Sequence, residues 1–188
     1  MSAPKVAVLF GFGINCDHET AAVFNLVGGD AERIHVNHFV SGNRALEDFD
    51  ILAVPGGFSF GDHLGSGRLM GNRMRFALRE QLHAFVAAGK PIIGICNGFQ
   101  ILVETGLVPG VLLRNKYLEF ICKNVFVKIN NKKNTYFKNI DNEILEFHIA
   151  HNEGNFFCTN DQLKEIEDNE QIAINYCDKN GKTEEQFN

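Results

Sequence analysis

The sequence predicts an α/β fold: an open, mostly parallel sheet flanked by helices, with some antiparallel strands in the C-terminal part. Three observations carry this expectation. Short apolar runs alternate with helical patterns through the first hundred residues. The run Pro91 to Ile95 is apolar at successive positions, as strands buried on both faces are. After Leu113 that rhythm gives way to alternating runs separated by turns.

Val6 to Phe10 forms the first strand, and Gly11 to Asp17 the loop that follows it. A helix from Asp17 to Val27 opens on acidic residues, which suit the positive end of its dipole, and stops at Gly28-Gly29, which suits a left-handed cap. A β-branched run around Ile34 to Val40 comes next, then a short turn-helix near Asn43 to Asp48 and a strand from Ile51 to Val54. One long helix from about Arg68 to Ala88 carries Leu78, Leu82 and Phe85 on one face and ends at Gly89, with Pro91 just beyond. In the second part Phe120 to Ile129 alternates as an exposed strand, Asn130 to Asn134 forms a turn, and Ile144 to Ile149 another strand. Thr159-Asn-Asp-Gln162 has capping-box spacing before a short helix. From Leu113 onward lysine replaces arginine and asparagine becomes frequent, which fits a more solvated part of the same domain or a join of two coding sequences.

Length and composition bound the function. At 188 residues the chain is long enough to bury a substantial core without disulfides. Five cysteines at irregular spacings do not form a secreted disulfide framework, so a reducing, cytoplasmic setting is expected. A net charge of −5, with both signs interspersed, offers no basic field for nucleic acid. No apolar stretch reaches the length that spans a bilayer, so no membrane partner is expected.

Ligands in open parallel sheets sit outside the carboxyl ends of the strands. Three loops occupy that position: Gly11 to Asp17, Pro55 to Gly67 and Cys96 to Gly98. Gly94-x-Cys96-x-Gly98 has the pattern of a nucleophile elbow, in which a strand ends, the chain turns sharply and a helix begins with the reactive atom in its first turn. The amino end of that helix favours negative charge there and presents free N–H groups to a developing oxyanion. A cysteine at a strand end is otherwise often an inert core residue, and the flanking glycines are what reverse that reading. Pro55-Gly56-Gly57 exposes backbone N–H groups suited to an oxyanion or a carboxylate, or is an ordinary glycine turn. Gly11-x-Gly13 lacks the third glycine of a dinucleotide fingerprint. His35/His38 and His148/His151 are HxxH pairs without companion ligands, and no metal is expected at either.

Together "GICNGFQIL" (94–102), "VPGGFSFGDHLGSG" (54–67), "NCDHE" (15–19), "GLVPGVLLRN" (106–115) and "IAHNEGNFFC" (149–158) resemble the glutaminase subunits of phosphoribosylformylglycinamidine synthase, a class I glutamine amidotransferase family with a flavodoxin-like sheet. The resemblance runs through nearly the whole chain and implies one glutamine amidotransferase domain over 1–188. It implies that Cys96 attacks the side-chain amide of glutamine, giving a thioester and ammonia, and that water then releases glutamate. By the same resemblance the N–H groups of Gly57 and Asn97 form the oxyanion hole, Gly56 and Gln100 line the glutamine pocket, and His151 borders it. The implied partners are an ATP-dependent synthetase subunit, which holds ATP and magnesium, and a small accessory subunit. This chain itself is expected to need no metal or organic cofactor.

Three departures accompany the resemblance. The family's late Pro-His-Pro-Glu segment, which supplies the base, has no counterpart up to Asn188, so the chain reads as truncated at its carboxyl end and without its proton acceptor. Phe12 stands where the family usually has proline, and Asn152 where it has glycine. His151-x-Glu153 is not expected to replace the relay, because residues two apart on a strand point the same way without facing each other. Two alternatives stay open: a variant that keeps the fold and docks a partner with little glutaminase activity, and a stress-related cysteine protein sharing the elbow.

Overall fold

The computed structural model describes residues 2–131, 133 and 136–183. The chain forms two compact units, Met1–Val108 and Pro109–Asn188.

In the first unit, β1 (Lys5–Phe10), β2 (Asp30–His35), β3 (Ile51–Val54) and β4 (Ile92–Gly94) form a parallel sheet in the order β2-β1-β3-β4. The central strands are buried on both faces: Ala7, Leu9, Leu52 and Val54 enter one apolar cluster, Val6, Val8 and Ala53 another. Burial of each large aliphatic side chain there stabilises the fold by roughly 1.5–3 kcal/mol. The larger cluster is closed by Met70 and Met74 of α3 (Arg68–Ala77), Leu82 and Phe85 of α4 (Arg79–Ala87), and Ile101 and Leu102 of α5 (Asn97–Thr105). Ala21 of α1 (Asp17–Leu26) joins the smaller cluster, and Gly28, at φ 92°, follows that helix as the glycine pair predicts.

Three sequence expectations need correction in this unit. The β-branched run is split, since the strand ends at His35 and Val36–Val40 is the short helix α2. Here the His35 ring Nδ1 accepts the Asn37 N–H at 3.1 Å as a cap, and Val36 and Phe39, three apart, are both buried. The long helix is two helices, broken at Leu78 (φ −119°), whose side chain is nevertheless buried against the core. Finally, β4 is half-buried along its length, because among the described residues it is the last strand of the sheet, with a neighbour on one side only.

In the second unit, β6 (Ile121–Ile129) lies between β7 (Ile144–His151) and β9 (Ile174–Cys177), antiparallel to both, and β5 (Val111–Leu113) pairs antiparallel with β8 (Asn155–Phe157). Val125, Val127 and Ile129 are buried on one face of β6 while Cys122, Lys123 and Asn124 are exposed, so the solvated character expected after Leu113 holds locally. The capping box forms at α6 (Asn160–Asp168): Gln162 N–H donates to Thr159 Oγ1 at 3.3 Å and Thr159 N–H to Gln162 Oε1 at 3.0 Å. Of the turn expected over Asn130 to Asn134, Lys132 and Asn134 lie outside the described residues.

Candidate functional site

β4 ends at Gly94, the Ile95 N–H donates to Val54 O at 3.0 Å, and Cys96 turns the chain at φ 54°, ψ −115° into α5. That conformation costs a non-glycine residue about 1–3 kcal/mol and persists only where the surroundings impose it. The following turn does so: Gly98 N–H donates to Ile95 O at 2.8 Å, and Phe99 N–H to Cys96 O at 3.0 Å. A Cβ on Gly98 would lie 1.8 Å from Val54 O, and one on Gly94 would lie 2.6 Å from Leu102 Cδ1. Both elbow glycines are therefore required by close packing. The Cys96 residue is exposed at the carboxyl edge of the sheet.

Beyond β3, the Gly-Gly loop is held by the loop after β1. Asn15 and Cys16 donate to Gly56 O at 3.3 and 3.2 Å, and Phe58 N–H donates to Gly13 O at 2.9 Å. This pairs Ile14 with Gly57 in the register whose ladder bonds come from the neighbouring residues, so the Gly57 N–H points away from the bridge. The Asn97 N–H, in the first turn of α5, has no acceptor within its helix. Gly56 abuts the nucleophile, since a Cβ there would be 3.3 Å from Cys96 Cβ. Gly11-x-Gly13, discounted as a dinucleotide motif, thus buttresses the site: a Cβ on Gly13 would meet Phe58 O at 2.3 Å.

The Asn97 side chain, 1% exposed, ties the two loops together. Its Oδ1 accepts the Ser59 N–H at 3.0 Å, and its Nδ2 donates to Asp62 Oδ1 at 3.2 Å and Gln100 Oε1 at 2.9 Å. Asp62 Oδ1 in turn accepts the Gly67 N–H at 3.1 Å. Phe60 and Asp62 hold left-handed φ of 54° and 51°, and Phe60 stacks on Phe12 with ring centroids 4.6 Å apart. Phe12 itself sits at φ 49°, which a proline could not adopt. Sequence reasoning singled out Asn97 for its backbone and missed its side chain, Ser59 and Asp62, although "GGFSFGD" marked the loop. Asn97→Ala leaves the buried Ser59 N–H without its acceptor and is expected to destabilise the protein by about 2–4 kcal/mol, read from urea unfolding.

A second cysteine flanks Gly56, with Cys16 Sγ 3.8 Å from the position of a Gly56 Cβ. Although the Cys16 residue is largely exposed, partial burial of its thiol pushes its pKa up, and Glu19, the Cys96 thiol and Asp17 push it further in the same direction.

The first unit thus brings together Cys96, Gly56, Gly57, Asn97 and Gln100. His151 belongs to the second unit, where its ring Nδ1 lies 2.9 Å from Asn115 Oδ1. Asn115 Nδ2 is committed to Glu119 O and His151 O at 2.8 and 2.9 Å, so its Oδ1 must accept and Nδ1 carries the proton. Nε2 is then a bare lone pair, buried and without a partner. A Cβ on Gly154 would overlap the His151 ring at 2.3 Å, so glycine is needed to seat it. Asn115, and not Glu153, therefore orients the imidazole.

Burial and the positive charge of Lys123 lower the His151 pKa, against a raising effect from its own backbone. A depressed histidine pKa stabilises the fold above the unfolded value of about 6.5 and loses that contribution as pH falls through the folded one. Between about pH 7.5 and pH 5, wild type is expected to lose more stability than His151→Gln in parallel urea titrations; equal losses would refute this.

Known proteins decide the family. The model of the CobB/CobQ-like glutamine amidotransferase domain matches residues 3–188. The chain belongs to this family. Among its relatives, a phosphoribosylformylglycinamidine synthase subunit PurQ from Pelagibacter ubique is 50% identical over 176 residues, covering 94% of this chain and 74% of that protein. A PurQ subunit from Methanococcus maripaludis is 37% identical, covering 95% and 68%. A solved structure of PurLQS from Thermotoga maritima matches with a TM-score of 0.73 at 30% identity, over 96% of this chain and 78% of that one. The amidotransferase is accordingly of the PurQ kind, the glutaminase component of a purine-biosynthetic synthase. The expectation of a class I amidotransferase-like α/β fold agrees with this match, and among the described residues no helix is long and apolar enough to cross a membrane.

Proposed function

We propose that Cys96 is the nucleophile of this amidotransferase and that glutamine is its substrate. The observation that carries the reading is the strained elbow of Cys96 between two glycines that packing forbids to be anything else. The Cys96 thiolate attacks the side-chain amide carbon of glutamine, and the tetrahedral oxyanion receives the N–H groups of Gly57 and Asn97, each such donor being worth about 10²–10³-fold in rate. The leaving nitrogen takes up the proton that the thiol gave to solvent, collapse breaks the C–N bond and releases ammonia, and water hydrolyses the thioester to glutamate and restores the thiol. Gly56 and Gln100 line the glutamine pocket. Among the described residues Cys96 Sγ has no hydrogen-bonded base.

Amide hydrolysis through a thioester calls for neither metal nor nucleotide, so ATP and magnesium are assigned to the synthetase, with a small accessory subunit as a further partner. The working compartment on this reading is the cytoplasm, where five unpaired cysteines stay reduced. The test is labelling with a diazoketone analogue of glutamine followed by peptide mapping. Modification confined to Cys96 and blocked by glutamine is expected; labelling elsewhere, or none, would overturn the assignment.

A further inference from the structure

The exposed end of the β6–β7 pair carries a second thiol with a proton acceptor of its own. Asn124 lies directly opposite His148 in the register, and Cys122, two residues before Asn124, shares their face. Glu146 Oε1 can only accept, so the Asn124 Nδ2 donates to it at 2.9 Å. Asn124 Oδ1 is thereby left as the acceptor for His148 Nδ1 at 2.8 Å, which puts the ring proton on Nδ1. His148 Nε2 is then the bare nitrogen, 3.5 Å from Cys122 Sγ, and it accepts the thiol proton. Carboxylate, amide, imidazole and thiol form one chain in which each partner fixes the direction of the next. This is the thiol–base–orienter order of an activated cysteine, with Cys122 open to solvent.

We propose that Cys122 is a modification site for small-molecule disulfides, activated by His148 and oriented by Asn124. The thiol proton passes to His148 Nε2, and the Cys122 sulfur attacks one sulfur of R–S–S–R. A protein–SR disulfide forms as the original S–S bond breaks, and the leaving thiolate takes the proton from the imidazolium and departs as R–SH. Cys122 is reduced thiol before the step and oxidised after it, with the small disulfide as oxidant. Its place within a strand, not at an elbow, suits exchange, in which charge stays on sulfur, and not acyl transfer, which needs an oxyanion hole.

The test is exposure of the full chain to glutathione disulfide near neutral pH, followed by acid quench and mass-spectrometric mapping of each cysteine peptide. Cys122 is expected to form the mixed disulfide at least about tenfold faster than Cys158, with that advantage lost in His148→Gln and reduced in Asn124→Ala. Buried Cys177 reports the fold, and should stay unmodified in all three proteins. Should Cys177 open in His148→Gln, the Asn124→Ala rate carries the test. Glutamine hydrolysis is expected to be unchanged in His148→Gln. A Cys122 rate equal to that of Cys158, or one indifferent to the substitution that leaves Cys177 closed, would overturn the proposal.

Discussion

Cys96→Ala, assayed with its synthetase subunit, is expected to lower glutamine-dependent turnover by about 10⁴-fold or more while leaving turnover on added ammonia intact. The size follows from losing the proposed nucleophile, because removal of a covalent nucleophile typically costs several orders of magnitude. Glutamate release measures the first activity and amidine formation with ammonium chloride the second. Glutamine-dependent activity in the variant within tenfold of wild type would remove Cys96 from the reaction, and wild-type activity as low as the variant's would favour a docking role. Cys96→Gly should be equally inactive yet more stable than Cys96→Ala, by roughly 1 kcal/mol, because glycine adopts φ 54° without strain. Equal stability of the two variants would mean that the elbow stores no strain.

The largest effect on stability is expected at Gly98. An alanine Cβ there would sit 1.8 Å from Val54 O, and that carbonyl also accepts the Ile95 N–H that closes the elbow. Neither atom belongs to a flexible side chain, so relief requires α5 to move away from β3. Gly98→Ala should cost at least about 4 kcal/mol or prevent folding, measured by the urea midpoint. At Gly42, by contrast, nothing lies within 4 Å of a Cβ and only φ 75° resists substitution, so Gly42→Ala should cost about 1 kcal/mol. Similar losses at the two positions would show that the elbow can expand.

Much of the site is local in sequence, and that part could be read directly. Cys96 and its glycines lie within five residues of chain, and the meaning of a strand end followed by glycine, cysteine and glycine is set by backbone sterics. The strands β1 and β3 announced themselves because burial on both faces admits only apolar residues. β2 was harder: the β-branched run lies at Ile34 to Val40, and parallel pairing with β1 makes the more polar Asp30 to His35 the strand. The break at Leu78 was invisible for the same reason, since Leu78 continues the apolar stripe and only its backbone leaves the helix.

By itself, then, the sequence determined the sheet class and the elbow, because each depends on residues adjacent along the chain or on a short period. The tertiary structure decided what bridges distant segments. It made Asn97 the clasp between α5 and the Ser59–Asp62 turn, set the Gly13 loop under Gly57, and gave His151 its tautomer through Asn115. It also placed Cys122 beside His148, twenty-six residues apart in the chain and joined by strand register. Hydrogen bonds are directional over about 3 Å, so who donates to whom is fixed only when folding brings the partners within that reach.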